Sequence, residues 1–136
     1  MIFDTCIDRV WACDLAKRLP SCKSLRKLCF HSTQLGDEGT CALAVGFKDC
    51  ESLEELGLED NEIGDDGARG LAGSLRHCKA LSRLDLDCNN IAEAGACALA
   101  DGLQHCNNLS MLEMCANRVG QGGRVTLLAK KQTLTL

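Results

Sequence analysis

Apolar residues recur along this chain at a fixed spacing of 28 positions. Residues 53–80 begin with the pattern Leu-x-x-Leu-x-Leu-x-x-Asn and continue with apolar residues at helical spacing, and residues 81–108 repeat the same residue types at the same places. The pattern extends forward to residues 109–136 and backward to residues 25–52. A period of this length predicts a solenoid, because one unit cannot bury its apolar face alone and neighbouring units must stack.

Each repeat is expected to supply one strand and one helix. The alternating Leu-x-Leu section predicts a short strand with one buried face, and stacked neighbours would pair in parallel about 4.8 Å apart. The helical halves are predicted over residues 37–48, 65–76, 93–104 and 121–131. The expected fold is therefore an α/β arc with a parallel sheet on the concave side and helices on the convex side.

The first 24 residues break the pattern and are interpreted as an N-terminal cap. Phe3, Ile7, Trp11 and Leu15 recur every four residues and predict one helix over residues 1–21, the helical half of a repeat whose strand half is missing. Four repeats follow, at 25–52, 53–80, 81–108 and 109–136. The last repeat is degenerate, since Lys131 replaces a core leucine. Residues 133–136 could form a closing strand, or the chain could be cut from a longer array.

These motifs resemble a known family. The pattern Leu-x-x-Leu-x-Leu-x-x-Asn with a helical second half resembles a leucine-rich repeat, and the 28-residue length together with residues 64–72 resembles the ribonuclease-inhibitor subfamily. Ile-Gly-Asp-Asp-Gly-Ala at 63–68 and Leu-x-His-Cys at 75–78 and 103–106 are most similar to the C-terminal repeats of NOD-like receptors. The resemblance implies a horseshoe solenoid that serves ligand sensing or autoinhibition in an innate immune receptor, although the nucleotide-binding domain and its P-loop are lacking. It also leaves open a free-standing ribonuclease-inhibitor-like protein or a regulator of a small GTPase.

Composition and charge indicate the kind of partner and the cellular location. The chain has 136 residues, 46% of them hydrophobic and 3% aromatic, and a formal net charge of −4. That mild acidity argues against a nucleic-acid partner. Eleven cysteines without an apolar leader indicate a reducing, cytoplasmic location. No apolar stretch approaches the roughly 18 residues that would span a membrane.

Few residues suggest chemistry. Asn61, Asn89 and Asn117 are expected to form a structural ladder at the strand-to-loop turns, and the acids at 37, 65 and 66 are interpreted as first-turn residues favoured by the helix dipole. The His-Cys pairs at 77–78 and 105–106 could suggest zinc, but neighbours in sequence point in different directions. No nucleophile–base motif is present, so we expect no enzymatic activity, cofactor or metal.

The exposed strand face carries the whole net charge of the chain. It holds seven acidic and three basic side chains, a net charge of −4, with bases in the first layer and acids in the next two. We predict a docking surface for a protein with a basic patch, against the alternative of a merely solvated sheet face. The chain would be a monomer or associate weakly through an open end. The predicted binding residues are Arg26, Lys27, His31, Glu55, Glu59, Asp60, Arg83, Asp85, Asp87, Met111, Glu113 and Cys115.

Overall fold

Strands and helices alternate regularly along the chain. The computed structural model describes the backbone of residues 2–3 and 9–130 and the side chains of residues 10–129. The strands are β1 (Ile2–Phe3), β2 (Lys27–Phe30), β3 (Glu55–Gly57), β4 (Arg83–Asp85) and β5 (Met111–Glu113). The helices are α1 (Arg9–Arg18), α2 (Gly36–Phe47), α3 (Asp65–Leu75), α4 (Glu93–Leu103) and α5 (Gln121–Lys130).

The five strands form one parallel sheet in chain order. From β2 to β5 the pairing register is the sequence period, so that Leu28, Leu56, Leu84 and Leu112 lie in one row across the sheet. Equivalent residues of successive repeats therefore stack directly on one another. The expected parallel strands are confirmed, and the four helices begin and end within about one residue of the predicted bounds.

The N-terminal segment differs from the prediction. A single helix over residues 1–21 is wrong, because Ile2 and Phe3 form the strand β1 and a 3-10 turn, Leu19–Ser21, follows α1. The strand half is not missing either, since Ile2 pairs with Cys29 and Phe3 with Phe30. This register is shifted by 27 rather than 28 residues. Two paired residues are too short to leave a strand signal in the sequence. The degenerate end, with Lys131 and residues 133–136, lies outside the described residues.

Columns of aliphatic side chains fill the space between the sheet and the helices. Leu56, Leu84 and Leu112 from the strands meet Leu71 and Leu99 from the helices in one buried cluster. The opposite sheet face, called the concave face below, is turned away from the helices. No helix in the described ranges has the length and apolarity that crossing a bilayer requires.

The turns that follow the strands are linked by the asparagine column. The Asn61 side-chain carbonyl accepts the N–H groups of Thr33 and Leu35 in the preceding layer, and its amide donates to the Phe30 carbonyl at 2.8 Å. Asn89 repeats this arrangement one layer on, accepting the N–H groups of Asn61 and Ile63. Each asparagine therefore satisfies buried backbone groups of two layers at once.

Aspartates cap the helices of the following layer rather than their own. Asp37, in the first turn of α2, accepts the N–H groups of Gly64 and Gly67 at the start of α3, at 2.7 and 2.9 Å. Asp65, in the first turn of α3, accepts those of Ala92 and Gly95 at the start of α4, at 2.8 and 2.9 Å. The sequence placed these acids at the right helix ends but missed this link between layers. Asp66, in contrast to Asp37 and Asp65, pairs with Arg69 of its own helix.

Candidate functional site

The concave face is built from the alternate residues of β2 to β5 and the residues just beyond each strand. The predicted binding residues all lie on it or along its edges, and each of them is exposed or half-buried. Two positions within the face, Cys29 and Gly57, are buried instead. Because Gly57 presents no side chain, it leaves a shallow pocket of about 170 Å³ between Lys27, Glu55 and Arg83.

Ion pairs between layers neutralise much of this face. Arg26 donates two parallel hydrogen bonds to the carboxylate of Glu54, at 2.8 and 2.7 Å. Lys27 pairs with Glu55 at 2.6 Å. Arg83 pairs with Glu113 at 2.7 Å. The predicted contrast between a basic first layer and acidic later layers is therefore largely cancelled, because the first-layer bases pair with acids of the second layer.

The pKa values of the paired groups move as these contacts require. The hydrogen bond from Lys27 lowers the pKa of Glu55, and the same bond raises the pKa of Lys27. The hydrogen bond to Glu113 raises the pKa of Arg83, and the hydrogen bond to Glu54 raises that of Arg26. All of these groups are solvated, so the pairs fix side-chain positions more than they stabilise the fold.

In the described part of the chain, four carboxylates have no Lys or Arg partner of their own, and we call them the acidic cluster: Glu59, Asp60, Asp85 and Asp87. Their hydrogen-bond donors are mostly neutral, since the Ser32 hydroxyl donates to Asp60 at 2.6 Å and backbone N–H groups donate to Asp85 and Asp87. The nearest guanidinium, that of Arg83, is 3.9 Å from Asp85 and already bound to Glu113. His31 lies 3.3 Å from Glu59. The net charge of the face is thus concentrated at the C-terminal ends of β3 and β4.

Cys88 lies in the middle of the acidic cluster. Loss of hydration raises the pKa of its thiol, and the charges of Glu59, Asp87, Asp60 and Asp85 raise it further. The thiol thus senses the negative potential of all four carboxylates. Cys88 was expected on the exposed strand face but was not among the predicted binding residues. The sequence signal for its place in the cluster was its position, because Cys88 comes two residues after Leu86 and is equivalent to Asp60 in the preceding repeat.

The neighbouring layer supplies an apolar margin. Met111, with 40% of its surface exposed, and the exposed Cys115 and Ala116 lie beside the acidic cluster on the side of β5. The face therefore combines a negative centre with a less polar rim, where a contact can exclude water.

Cys78 and Cys106 occupy equivalent positions after α3 and α4, and their thiols connect adjacent layers. The thiols of Cys78 and Cys106 donate to the carbonyls of Phe47 and Leu75 in the preceding layers. Burial raises the pKa of Cys78 to about 12. As expected from their positions, these thiols face the core while His77 and His105 are exposed. Among the described residues, no three potential ligands come together as a metal site.

The comparisons with known proteins agree with this fold. The Leucine Rich repeat family profile matches residues 49–72 and 77–100, which lie in the central repeats. No curated protein matches the sequence significantly. The fold is accordingly that of a leucine-rich-repeat solenoid, as the periodicity predicted.

Two solved structures have a similar fold. Leiomodin-1 actin-binding site 2 matches with a TM-score of 0.74 and 18% identity, over 89% of this chain and 74% of that chain. The tropomodulin C-terminal domain of Caenorhabditis elegans matches with a TM-score of 0.77 and 15% identity, over 94% of this chain and 80% of that chain. At these identities the likeness is one of fold.

Proposed function

We propose that this chain is a protein-binding module with no chemistry of its own, and that its concave face binds a partner through a basic patch. The observation that carries the proposal is the acidic cluster, because among the described residues its four carboxylates have no Lys or Arg of their own, while Arg26, Lys27 and Arg83 are bound to other acids. A surface selected only for solubility would have no need to gather its uncompensated charge in one place.

The geometry suggests how such a partner would bind. The negative potential at the ends of β3 and β4 would speed encounter with a basic surface and make the rate depend on salt. Met111 and Cys115 would then be covered by apolar groups at the edge of the contact, where water is excluded. The ion pairs between layers already hold the surrounding side chains in place, so little side-chain conformational freedom would be lost on binding.

We base the proposed class of this protein on the resemblance found in the sequence. The Leu-x-His-Cys and Ile-Gly-Asp-Asp-Gly-Ala segments favour a cytoplasmic NOD-like receptor, or a short relative, in which this face senses a ligand. A ribonuclease-inhibitor-like protein would instead form a tight, salt-sensitive complex with a small basic enzyme. A regulator of a small GTPase would accelerate GTP hydrolysis. Activity assays with purified ribonuclease and with GTP-loaded GTPases distinguish these alternatives.

Actin binding is a second candidate, favoured by the structural likeness to leiomodin-1 actin-binding site 2. Co-sedimentation with filamentous actin and binding to labelled monomeric actin test it directly. Binding that is lost when the acidic cluster is neutralised would unite both candidates on one surface. Binding that is unaffected by this change would place the actin contact elsewhere.

The test of the main proposal is affinity capture from cytosol with three baits. The first is the natural chain, and the second carries Glu59→Gln, Asp60→Asn, Asp85→Asn and Asp87→Asn, which keep the size and the hydrogen-bond acceptors. The third is a control with the same charge change on exposed acids away from the face: Asp49→Asn, Glu51→Gln, Asp66→Asn and Asp101→Asn. A specific partner should be retained by the control and lost by the second bait. Equal capture by all three baits would contradict the proposal.

A further inference from the structure

One pocket on the concave face has a floor of small groups. We call it the Gly57 pocket, because its floor is the backbone of Gly57 beside the side chain of Cys29, both of them buried. The equivalent residues in the next two layers, Asp85 and Glu113, carry side chains at this position. A cavity of about 150 Å³ can hold a molecule the size of benzene. The Gly57 pocket, at about 170 Å³, therefore has room for one long side chain of another protein.

Ion pairs hold one side of the Gly57 pocket in place. Lys27, Glu55 and Arg83 lie in one row across the sheet, on the side of the strand N-termini. Lys27 is bound to Glu55 at 2.6 Å, and Arg83 is bound to Glu113 at 2.7 Å. These contacts fix the long side chains around the floor. The pocket therefore exists before a partner binds, and little conformational freedom is lost when it is filled.

The other side of the pocket, towards the strand C-termini, is negatively charged. Asp85 lies beside Gly57 in the next layer and forms part of the wall. The guanidinium of Arg83 is 3.9 Å from the Asp85 carboxylate, beyond hydrogen-bond distance. His31, also in the wall, lies 3.3 Å from Glu59 and brings that carboxylate to the same side. A cation of a partner would meet two carboxylates of the acidic cluster at this place.

We infer that the Gly57 pocket binds an arginine side chain of the partner, an inference that rests on the proposed function of this face. The aliphatic stem covers Gly57 and Cys29, and the guanidinium lies between Asp85 and Glu59. The planar fork of a guanidinium carries five N–H donors, so it can bind two carboxylates at once. The basic groups in the row of the strand N-termini disfavour the reverse orientation.

Other side chains fit this pocket less well. An acidic side chain would be repelled by Asp85 and Glu59. A purely apolar side chain would remove water from the Asp85 carboxylate without replacing its hydrogen bonds, which is costly. Gly57 is therefore a specificity-determining residue, because a side chain at this position would occupy the space that the arginine stem takes.

A short peptide tests the inference before a partner is known. The probe is acetyl-Gly-Arg-Gly-amide, titrated into the isotope-labelled full chain. Nuclear magnetic resonance should show saturable shifts of the amide signals of Gly57 and Asp85. Two controls should not reach saturation over the same concentration range. Citrulline in place of arginine keeps the shape of the side chain but is neutral, and the methylguanidinium ion keeps the charge but lacks the stem that covers the floor.

Substitutions in the pocket provide matched comparisons. Gly57→Gln fills the floor with a neutral side chain, and Gly73→Gln makes the same change at an exposed helix position with open space around it. Asp85→Asn keeps the shape of the wall without its charge, and Asp66→Asn makes the same change on an exposed acid of α3. The two pocket variants should lose saturable binding of the probe, whereas the two controls should bind it like the natural chain. Circular dichroism establishes that each variant is folded, and the Asp85→Asn comparison tests the inference even where Gly57→Gln does not fold.

The inference and the proposed function fail in different ways. No saturable shift at Gly57, an equal response to the citrulline peptide, or an equal loss in the pocket and control variants would overturn the inference. A partner that requires the acidic cluster but binds the Gly57→Gln variant as tightly as the natural chain would overturn it too, and would leave the proposed function intact. A partner that binds equally well with the acidic cluster neutralised would contradict the proposed function, and with it the assignment of the arginine to that partner, even where the probe binds.

Discussion

The N-terminus of α4 is capped by a side chain from the layer before it, which makes Asp65 a test of how the layers are joined. Its carboxylate accepts two N–H groups, those of Ala92 and Gly95, that have no partner within their own helix. The residue at the usual capping position, Ala92, has no side-chain oxygen and makes no such bond. Asp65→Ala should therefore remove the only side-chain cap of α4 that the structure shows.

The magnitude follows from these contacts. Loss of a helix cap costs about 1 kcal/mol, and two charge-assisted bonds in a half-buried site raise the expected loss to about 2 kcal/mol. At about 4 °C for each kcal/mol in a chain of this size, the melting temperature should fall by about 8 °C. Asp65→Asn keeps an acceptor oxygen without the charge and should lose about half as much.

Asp66→Ala is the matched control for this prediction. Asp66 is the next residue of α3, has an exposed side chain and contacts Arg69 of its own helix, a pair worth less than about 0.5 kcal/mol. Urea unfolding followed by circular dichroism measures both changes. A loss for Asp65→Ala that falls within about 0.5 kcal/mol of the control would refute the assignment of an interlayer cap.

Three further predictions concern single positions. Gly102→Ala should destabilise the fold by about 2 kcal/mol because the new Cβ would meet the Ala72 carbonyl, whereas Gly73→Ala, with open space around it, should stabilise α3 by up to about 1 kcal/mol. Thermal unfolding of the two variants measures this difference, and equal effects would contradict it. Ala116→Gly should stabilise the chain by about 0.5 kcal/mol in urea unfolding, because Ala116 has a φ of 54°, where a Cβ is strained; a loss of stability would show that this strain is absent. Alkylation of Cys88 should be slow at neutral pH and accelerate as the pH rises towards its raised pKa, and neutralising the acidic cluster should increase the rate at fixed pH. Mass spectrometry measures the rate, and an unchanged rate would contradict the effect of the four carboxylates on this thiol.

The sequence period accounts for most of what could be predicted. Because the register equals the period, the stacking of Leu56 on Leu84 follows from the sequence alone. The same register places Lys27 beside Glu55 and Arg26 beside Glu54, so these ion pairs were accessible to prediction as well. The acidic cluster could thus have been located from the sequence, by setting aside the acidic residues of the concave face that stack next to a basic residue.

Other features depend on geometry that the period does not contain. The Asp65 cap joins residues 27 and 30 positions apart, and it requires knowledge of how the start of one helix faces the next. The choice of Arg83 for Glu113 rather than Glu55 depends on side-chain conformation, since both acids lie in neighbouring layers. The strand Ile2–Phe3 is too short for any periodic signal.

The most direct test of the central claim is the affinity of a captured partner for the natural chain, the neutralised acidic-cluster variant and the charge-matched control. Calorimetric titration at low and at physiological salt gives each value. We predict that the control binds like the natural chain and that the cluster variant binds at least about tenfold more weakly. Salt should weaken binding by the natural chain and by the control, but not by the cluster variant. Equal affinities for all three proteins, with equal salt dependence, would contradict the account and assign the concave face no role in binding.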